Sequence, residues 1–182
     1  AIFDQARRPV TRDILMIATD ALKADKERWP HYMRKEIEEQ PESLGRLLST
    51  LVHHTQQDLK PILPGIDFAA ADRVILLACG TAHYACHLAC YWIEAIARIP
   101  VEIDLASEYR YRNRPLTGRE IMVVVSQSGE TADTLSALTA LAGKVSARVA
   151  VVNVSTSSIA READELEALA TAALAGDHIV QR

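Results

Sequence analysis

Cysteine is scarce in this chain, and what there is cannot build a disulfide framework: Cys79, Cys86 and Cys90 are an odd number crowded into one segment. Such usage fits a reducing compartment and makes the cytoplasm the expected location. A basic excess is lacking too. Lys plus Arg number 20 against 24 Asp plus Glu, a net charge of -4 with no long basic run, which disfavours a nucleic-acid backbone as partner. No apolar run reaches the roughly 20 residues that cross a membrane, and Ala1 to Arg8 carry no apolar signal core. Neither a membrane nor a nucleic acid is expected as a partner. Internal repeats and low-complexity tracts are absent. An anionic ligand therefore has to be held by local groups rather than by an overall positive field.

What is present fits one main domain with additional chain: 182 residues, 49% hydrophobic and 24% charged. From Val74 onward, short β-branched runs alternate with longer helical stretches, the pattern of βαβ units around a parallel sheet. Strands are expected at 74–78, 101–105, 121–125 and 148–153. Helices are expected over 81–98, 107–111 and 130–142. The stretch from His31 to about Asp58 predicts two helices, or one bent at Pro41. Pro61-Ile62-Leu63-Pro64-Gly65 reads as a connector. Residues 2–18 read as a β-hairpin with a charged tail through Arg28; a lone hairpin is marginal in water, so this piece is expected to belong to another domain.

The most informative stretch runs Ile121-Met-Val-Val-Val-Ser126-Gln127-Ser128-Gly129-Glu130-Thr131. An apolar strand empties into a hydroxyl-rich turn that opens a helix, with Ser128 the expected N-cap. The first backbone N–H groups of a helix have no partner within it, and the helix dipole adds positive potential there, so a phosphate is welcome. Ser126, Ser128 and Thr131 add donors without adding charge. Simple capping needs one hydroxyl. Three hydroxyls, a Gln and a Gly at the carboxyl end of a buried strand exceed that need, and open parallel sheets bind ligands at that edge.

Ala78-Cys79-Gly80-Thr81 repeats the strand-to-helix turn, with Thr81 offering a hydroxyl at another helix start. It is not a dinucleotide fingerprint, because the second and third glycines of G-x-G-x-x-G are missing, and no Gly-Lys-Ser/Thr occurs anywhere. No cofactor is expected. A third polar loop, Asn153 to Ser158, lies at the same predicted edge, where Ser155 and Thr156 fit a contact role as well as an ordinary turn and helix cap. His83, His87 and Cys90 could share one helical face, but structural zinc sites draw ligands from two segments, so no metal is expected. Arg110, Arg112 and Arg114 allow a phosphate clamp or a solvated helix face. Glu36 and Glu39 are expected to be exposed helix charges rather than acid/base groups.

Together, Ala78 to Thr81, Ala106-Ser-Glu-Tyr-Arg-Tyr-Arg112, Ser126 to Thr134 and His31-Tyr-Met-Arg-Lys-Glu-Ile-Glu-Glu-Gln-Pro41 resemble the glucosamine-6-phosphate synthase family, the glutamine:fructose-6-phosphate amidotransferases. The module that carries the motifs is the sugar isomerase (SIS) domain. The resemblance implies an α/β, flavodoxin-like SIS fold, a parallel sheet with helices on both faces. It implies the end of a glutaminase domain and linker at 1–30, a helical connector at 31–66, the SIS domain at 67–175 and a tail at 176–182. It also implies fructose 6-phosphate at the sheet's carboxyl edge, its phosphate on Ser126, Ser128 and Thr131 and its sugar on Gln127 and Thr81. Cys79, Gly80, Gly129, Ser155 and Thr156 are further expected contacts.

In that family, ammonia from glutamine attacks the open-chain ketose, and the imine is isomerised to glucosamine 6-phosphate for amino-sugar biosynthesis. The family's glutaminase nucleophile would precede Ala1, and its isomerase base, histidine and lysine would follow Arg182. No catalytic residue is therefore expected here, and the chain reads as an interior or truncated piece, inactive alone. The resemblance further implies a homodimer, because SIS domains pair. Two rival readings are a non-catalytic phosphosugar sensor and a standalone isomerase with a glutamate such as Glu108 as base. Two departures stand out. Ala82 replaces the family's usual Ser, and 169–182 does not continue into the family's glycine-rich segment.

Overall fold

The computed structural model describes residues 2–3, 7–10, 26, 28–51, 63 and 65–168. The chain divides into two compact units, Ala1–Pro41 and Glu42–Arg182. In the first, β1 (Ile2–Phe3) pairs antiparallel with β2 (Pro9–Val10), Ile2 opposite Val10. This is the base of the expected hairpin; the remainder of its second strand, residues 11–18, lies outside the described residues.

Of the two expected forms, two helices or one helix bent at Pro41, the chain forms a single helix, α1 (Tyr32–Leu51), with Pro41 inside it. An interior proline costs about 3 kcal/mol, and the i,i+4 ion pairs Arg34–Glu38, Lys35–Glu39 and Arg46–Glu42 offset part of that cost. Residues 52–62 and 64, part of the expected connector, and residues 169–182, including the tail, lie outside the described residues.

The second unit carries the sheet. Its elements are β3 (Val74–Ala78), α2 (Thr81–Trp92), β4 (Val101–Leu105), α3 (Ala106–Tyr109), β5 (Ile121–Ser126), α4 (Ala132–Ala140), β6 (Ala147–Val152), α5 (Ser158–Glu162) and β7 (Glu165–Ala168). The strands are all parallel, in the order β4-β3-β5-β6-β7. This is the doubly wound, flavodoxin-like order, and it puts the crevice that binds ligands between the carboxyl ends of β3 and β5, where the winding reverses.

Side chains that alternate along each strand go to opposite faces, and both faces are apolar. Ile75, Leu77, Met122 and Val124 pack with Ala137, Leu138 and Ile159 under α4 and α5. Val74, Leu76 and Ala78 pack with Cys86 and the half-buried Ala82, Ala89, Cys90 and Ile93 of the α2 side. Each large apolar side chain buried this way contributes about 1.5 to 3 kcal/mol. Burial pushes the Cys86 thiol up to about 11, so it behaves as a small apolar group.

The long helix stops as an α-helix at Trp92 and ends in a π-turn, Ile93–Ala97, closed by Arg98 at φ +59°. Strand β7 and helix α5 were not foreseen, since four and five residues are too few to display a period. Tertiary contacts position β7: the Arg148 backbone N–H donates to Asp164 at 2.9 Å and its guanidinium to the same carboxylate at 2.7 Å. At the same, amino edge of the sheet, the fully buried Glu120 accepts from the Thr117 N–H (2.8 Å) and Gly118 N–H (3.0 Å), fixing the turn that feeds β5.

Candidate functional site

Ala78 lies opposite Val125 in register, so the turns that leave β3 and β5 emerge side by side at the carboxyl edge. Gly80 has φ +59° and ψ −136°, a conformation open essentially to glycine alone, and it swings the chain into α2. Gly129, at φ +68°, has a second constraint. A Cβ there would lie 2.0 Å from Ser157 Oγ and 2.4 Å from Ser157 Cβ, so the turn after β5 presses directly against the start of α5.

Hydrogen bonds fix the shape of that turn. Ser126 is buried, and its Oγ accepts from the Gly129 N–H at 3.1 Å and lies 3.0 Å from Thr131 Oγ1. Ser128 Oγ accepts from the Glu130 N–H at 3.2 Å, while the Ser128 and Gln127 side chains are exposed. Three donors from the β6–α5 segment brace the loop from behind. The Ile159 N–H bonds Gly129 O (3.0 Å), the Asn153 N–H bonds Gln127 O (3.3 Å) and the Ser158 N–H bonds Glu130 Oε1 (2.8 Å). Sequence reasoning missed this brace of Glu130, Ser157, Ser158 and Ile159; a glycine required at 129 was its only signal.

The N-cap of α4 is Thr131 rather than Ser128, and the helix begins two residues later than expected. Ser126 causes the delay, because it captures both the Gly129 N–H and the Thr131 hydroxyl and holds the turn open. No side chain caps α4, and none caps α2 at Gly80; α5 by contrast is capped by Ser157, which accepts from the Ala160 N–H. The two helices flanking the crevice thus start with no side-chain cap on their first N–H groups and with positive dipole ends, the arrangement that takes a phosphate. Glu130 does not oppose this. Its carboxylate is held below its usual range by the Ser158 backbone N–H, then by the Ser158 side chain, so its charge is directed toward α5.

The remaining candidates fall as follows. Thr81 is exposed at the first position of α2, and Cys79 is half-buried, with Thr134 Oγ1 donating to its Sγ at 4.0 Å. Ser155 and Thr156 are half-buried between β6 and α5. The three arginines face acids instead of the crevice: Arg110 pairs with Asp133 (3.5 Å), Arg112 with Asp104, and Arg114 with Glu102 and with Asp104 (3.2 Å). They border a separate cleft of about 240 Å³ that reaches Leu141 and Lys144 and includes none of the crevice residues. With its guanidinium groups neutralised by carboxylates, this cleft is the poorer anion site. Glu108 and Glu36 are exposed, and Glu39 pairs with Lys35. His83 and His87 approach each other without Cys90, and among the described residues no group of three or more His, Cys, Asp or Glu is arranged to hold a metal ion. No described helix is long and apolar enough to cross a membrane.

Residues 67–176 match the family model of the SIS domain. The chain is 45% identical over 161 residues to the glutamine–fructose-6-phosphate aminotransferase (isomerizing) of Bradyrhizobium diazoefficiens, covering 86% of this chain and 26% of that protein. It is 42% identical over 164 residues to the protein of the same name from Brucella abortus, covering 90% and 27%. The chain thus spans about a quarter of the length of these curated relatives. Among solved structures, the C-terminal domain of glucosamine-fructose-6-phosphate aminotransferase from Francisella tularensis superposes with a TM-score of 0.71 at 33% identity, over 80% of this chain and 41% of that one. Glucosamine-6-phosphate deaminase from Thermotoga maritima shares the fold at 19% identity, with a TM-score of 0.51 over 70% of this chain and 40% of its own.

Proposed function

Because this chain belongs to the SIS domain family, we propose that it binds a phosphorylated hexose, fructose 6-phosphate, in the crevice between the ends of β3 and β5. Ser128, Thr131 and the first N–H groups of α4 hold the phosphate, Ser126 shapes the loop that presents them, and Thr81 and Gln127 meet the sugar. Cys79, Gly80, Gly129, Ser155 and Thr156 line the approach. The observation that carries this reading is the pair of uncapped helix starts at a topological switch point. Each helix end favours an anion by up to about 2 kcal/mol, and each hydrogen bond to a charged oxygen by about 1.5 to 3. That is enough to retain a sugar phosphate without an arginine or lysine.

The wider activity follows from the relatives' names. We assign this chain to a glutamine–fructose-6-phosphate aminotransferase (isomerizing), which makes glucosamine 6-phosphate for amino-sugar biosynthesis, and give this SIS domain the binding half of that work. It acts in the cytoplasm, as its free cysteines fit. It works as a homodimer through the outer side of α2 and of the π-turn that ends it, where Tyr84, Leu88, Tyr91, Trp92 and Ile96 are 51 to 82% exposed at helical spacing. Solvent-facing aromatic stripes of this kind belong to interfaces.

Calorimetric titration tests the binding step. Fructose 6-phosphate should bind one per chain, and fructose without its phosphate should not. Failure of fructose 6-phosphate to bind, or equal binding of fructose, would refute the assignment.

A further inference from the structure

We infer that His83 and His87 form a two-point site for a transition-metal cation, Cu²⁺ above all, on the first two turns of α2. Their Nε2 atoms lie 3.2 Å apart, with the rings edge to face and centroids 4.8 Å apart. A cation bound by imidazole sits about 2.0 to 2.1 Å from each nitrogen, so two ligands in neighbouring positions lie about 2.9 Å apart at a right angle and about 3.4 Å apart in a tetrahedron. The observed separation falls between those limits. The i,i+4 spacing on one helix supplies this geometry with no rearrangement of the backbone.

The donor set selects the cation. Two neutral imidazoles with no carboxylate favour Cu²⁺, then Ni²⁺ and Zn²⁺, and are poor ligands for Mg²⁺ or Ca²⁺, which require oxygen. The other coordination positions open to solvent beside the exposed His87. In the metal-free pair one ring donates its Nε2–H to the other; to take a cation, that ring must carry its proton on Nδ1 instead. At His83 this is costly, because Nδ1 is buried without a partner. Loss of such an outer hydrogen bond weakens a metal site about 10- to 100-fold, so this one holds an exchangeable ion rather than a structural one.

The test is a Cu²⁺ titration of the full chain, followed by calorimetry and by electron paramagnetic resonance. One ion per chain with two nitrogen ligands is expected, unaffected by excess Mg²⁺. His83→Gln and His87→Gln should each abolish the two-nitrogen signature and the tight binding phase, whereas His31→Gln should leave both unchanged. His87 is exposed, so its variant keeps the fold, and far-UV circular dichroism verifies this. Persistence of the two-nitrogen signature in His87→Gln, or wild-type binding no tighter than that of the double variant, would overturn the assignment.

Discussion

Replacing Gly129 by alanine should unseat the loop on which the site is built. Two costs add. A side chain held at φ +68° loses about 1 to 2 kcal/mol relative to glycine. The new methyl carbon would also sit 2.0 Å from Ser157 Oγ, and overpacking of this sort costs about 1 to 3 kcal/mol. Ser157 cannot swing aside freely, because it is 1% exposed and its Oγ caps α5. The expected loss is about 2 to 5 kcal/mol, which for a chain of this size lowers the melting temperature by about 2 to 4 °C per kcal/mol. Thermal and urea unfolding measure it. Adding Ser157→Gly removes the obstructing atoms, and glycine at an N-cap costs only a few tenths of a kcal/mol, so the double variant should recover the steric share and keep the φ share. Gly129→Ala within about 0.5 kcal/mol of the parent, or no recovery in the double variant, would refute the close approach of the two loops.

Ser128→Ala should weaken fructose 6-phosphate binding about tenfold or more, the value of one charge-assisted hydrogen bond, with little change in unfolding; titration and melting together check this. Ser126→Ala should act in the opposite proportion, losing about 1 to 3 kcal/mol of stability because the buried Gly129 N–H loses its acceptor. Burial raises the Glu120 carboxyl, but the Thr117 and Gly118 donors outweigh it and hold the group below 4.5. A lowered folded value means that its stabilisation is present above about pH 4.5 and fades as pH falls through the folded value. Unfolding curves for Glu120→Gln should be flatter over that acid range than the parent's, and equal slopes would remove Glu120 from the account. Ile96→Asp on the exposed side of the π-turn after α2 should shift a dimer to a monomer by light scattering without changing phosphate binding.

The first four strands of the sheet were legible because each is a short apolar or β-branched run between turn signals, interrupted only by Glu102 and Asp104 in β4 and Arg148 in β6, and observed boundaries differ from expected ones by a single residue at β5 and at each end of β6. The crevice was legible for a related reason: hydroxyls and glycines cluster directly after two of those runs. What escaped was set by contacts distant in sequence. Glu165-Leu166-Glu167-Ala168 becomes a strand by adding to β6, and the Asp164–Arg148 pair that guides it spans sixteen residues. The division of labour among the three hydroxyls was equally hidden. Nothing in Ser-Gln-Ser-Gly-Glu-Thr reveals that Ser126 turns inward while Ser128 turns out, because that depends on which N–H groups the folded loop leaves unpaired. The partners of the arginines were hidden in the same way, since Glu102, Asp104 and Asp133 come from β4 and α4.

The most direct test of phosphate capture is an amide-resolved nuclear magnetic resonance titration with fructose 6-phosphate. The account predicts saturable shifts centred on the backbone N–H groups of Ser128, Thr131, Ala132 and Thr81, with the same amides moving for inorganic phosphate at higher concentration. Saturable shifts confined to the Arg110 to Lys144 cleft, with those amides unmoved, would contradict it.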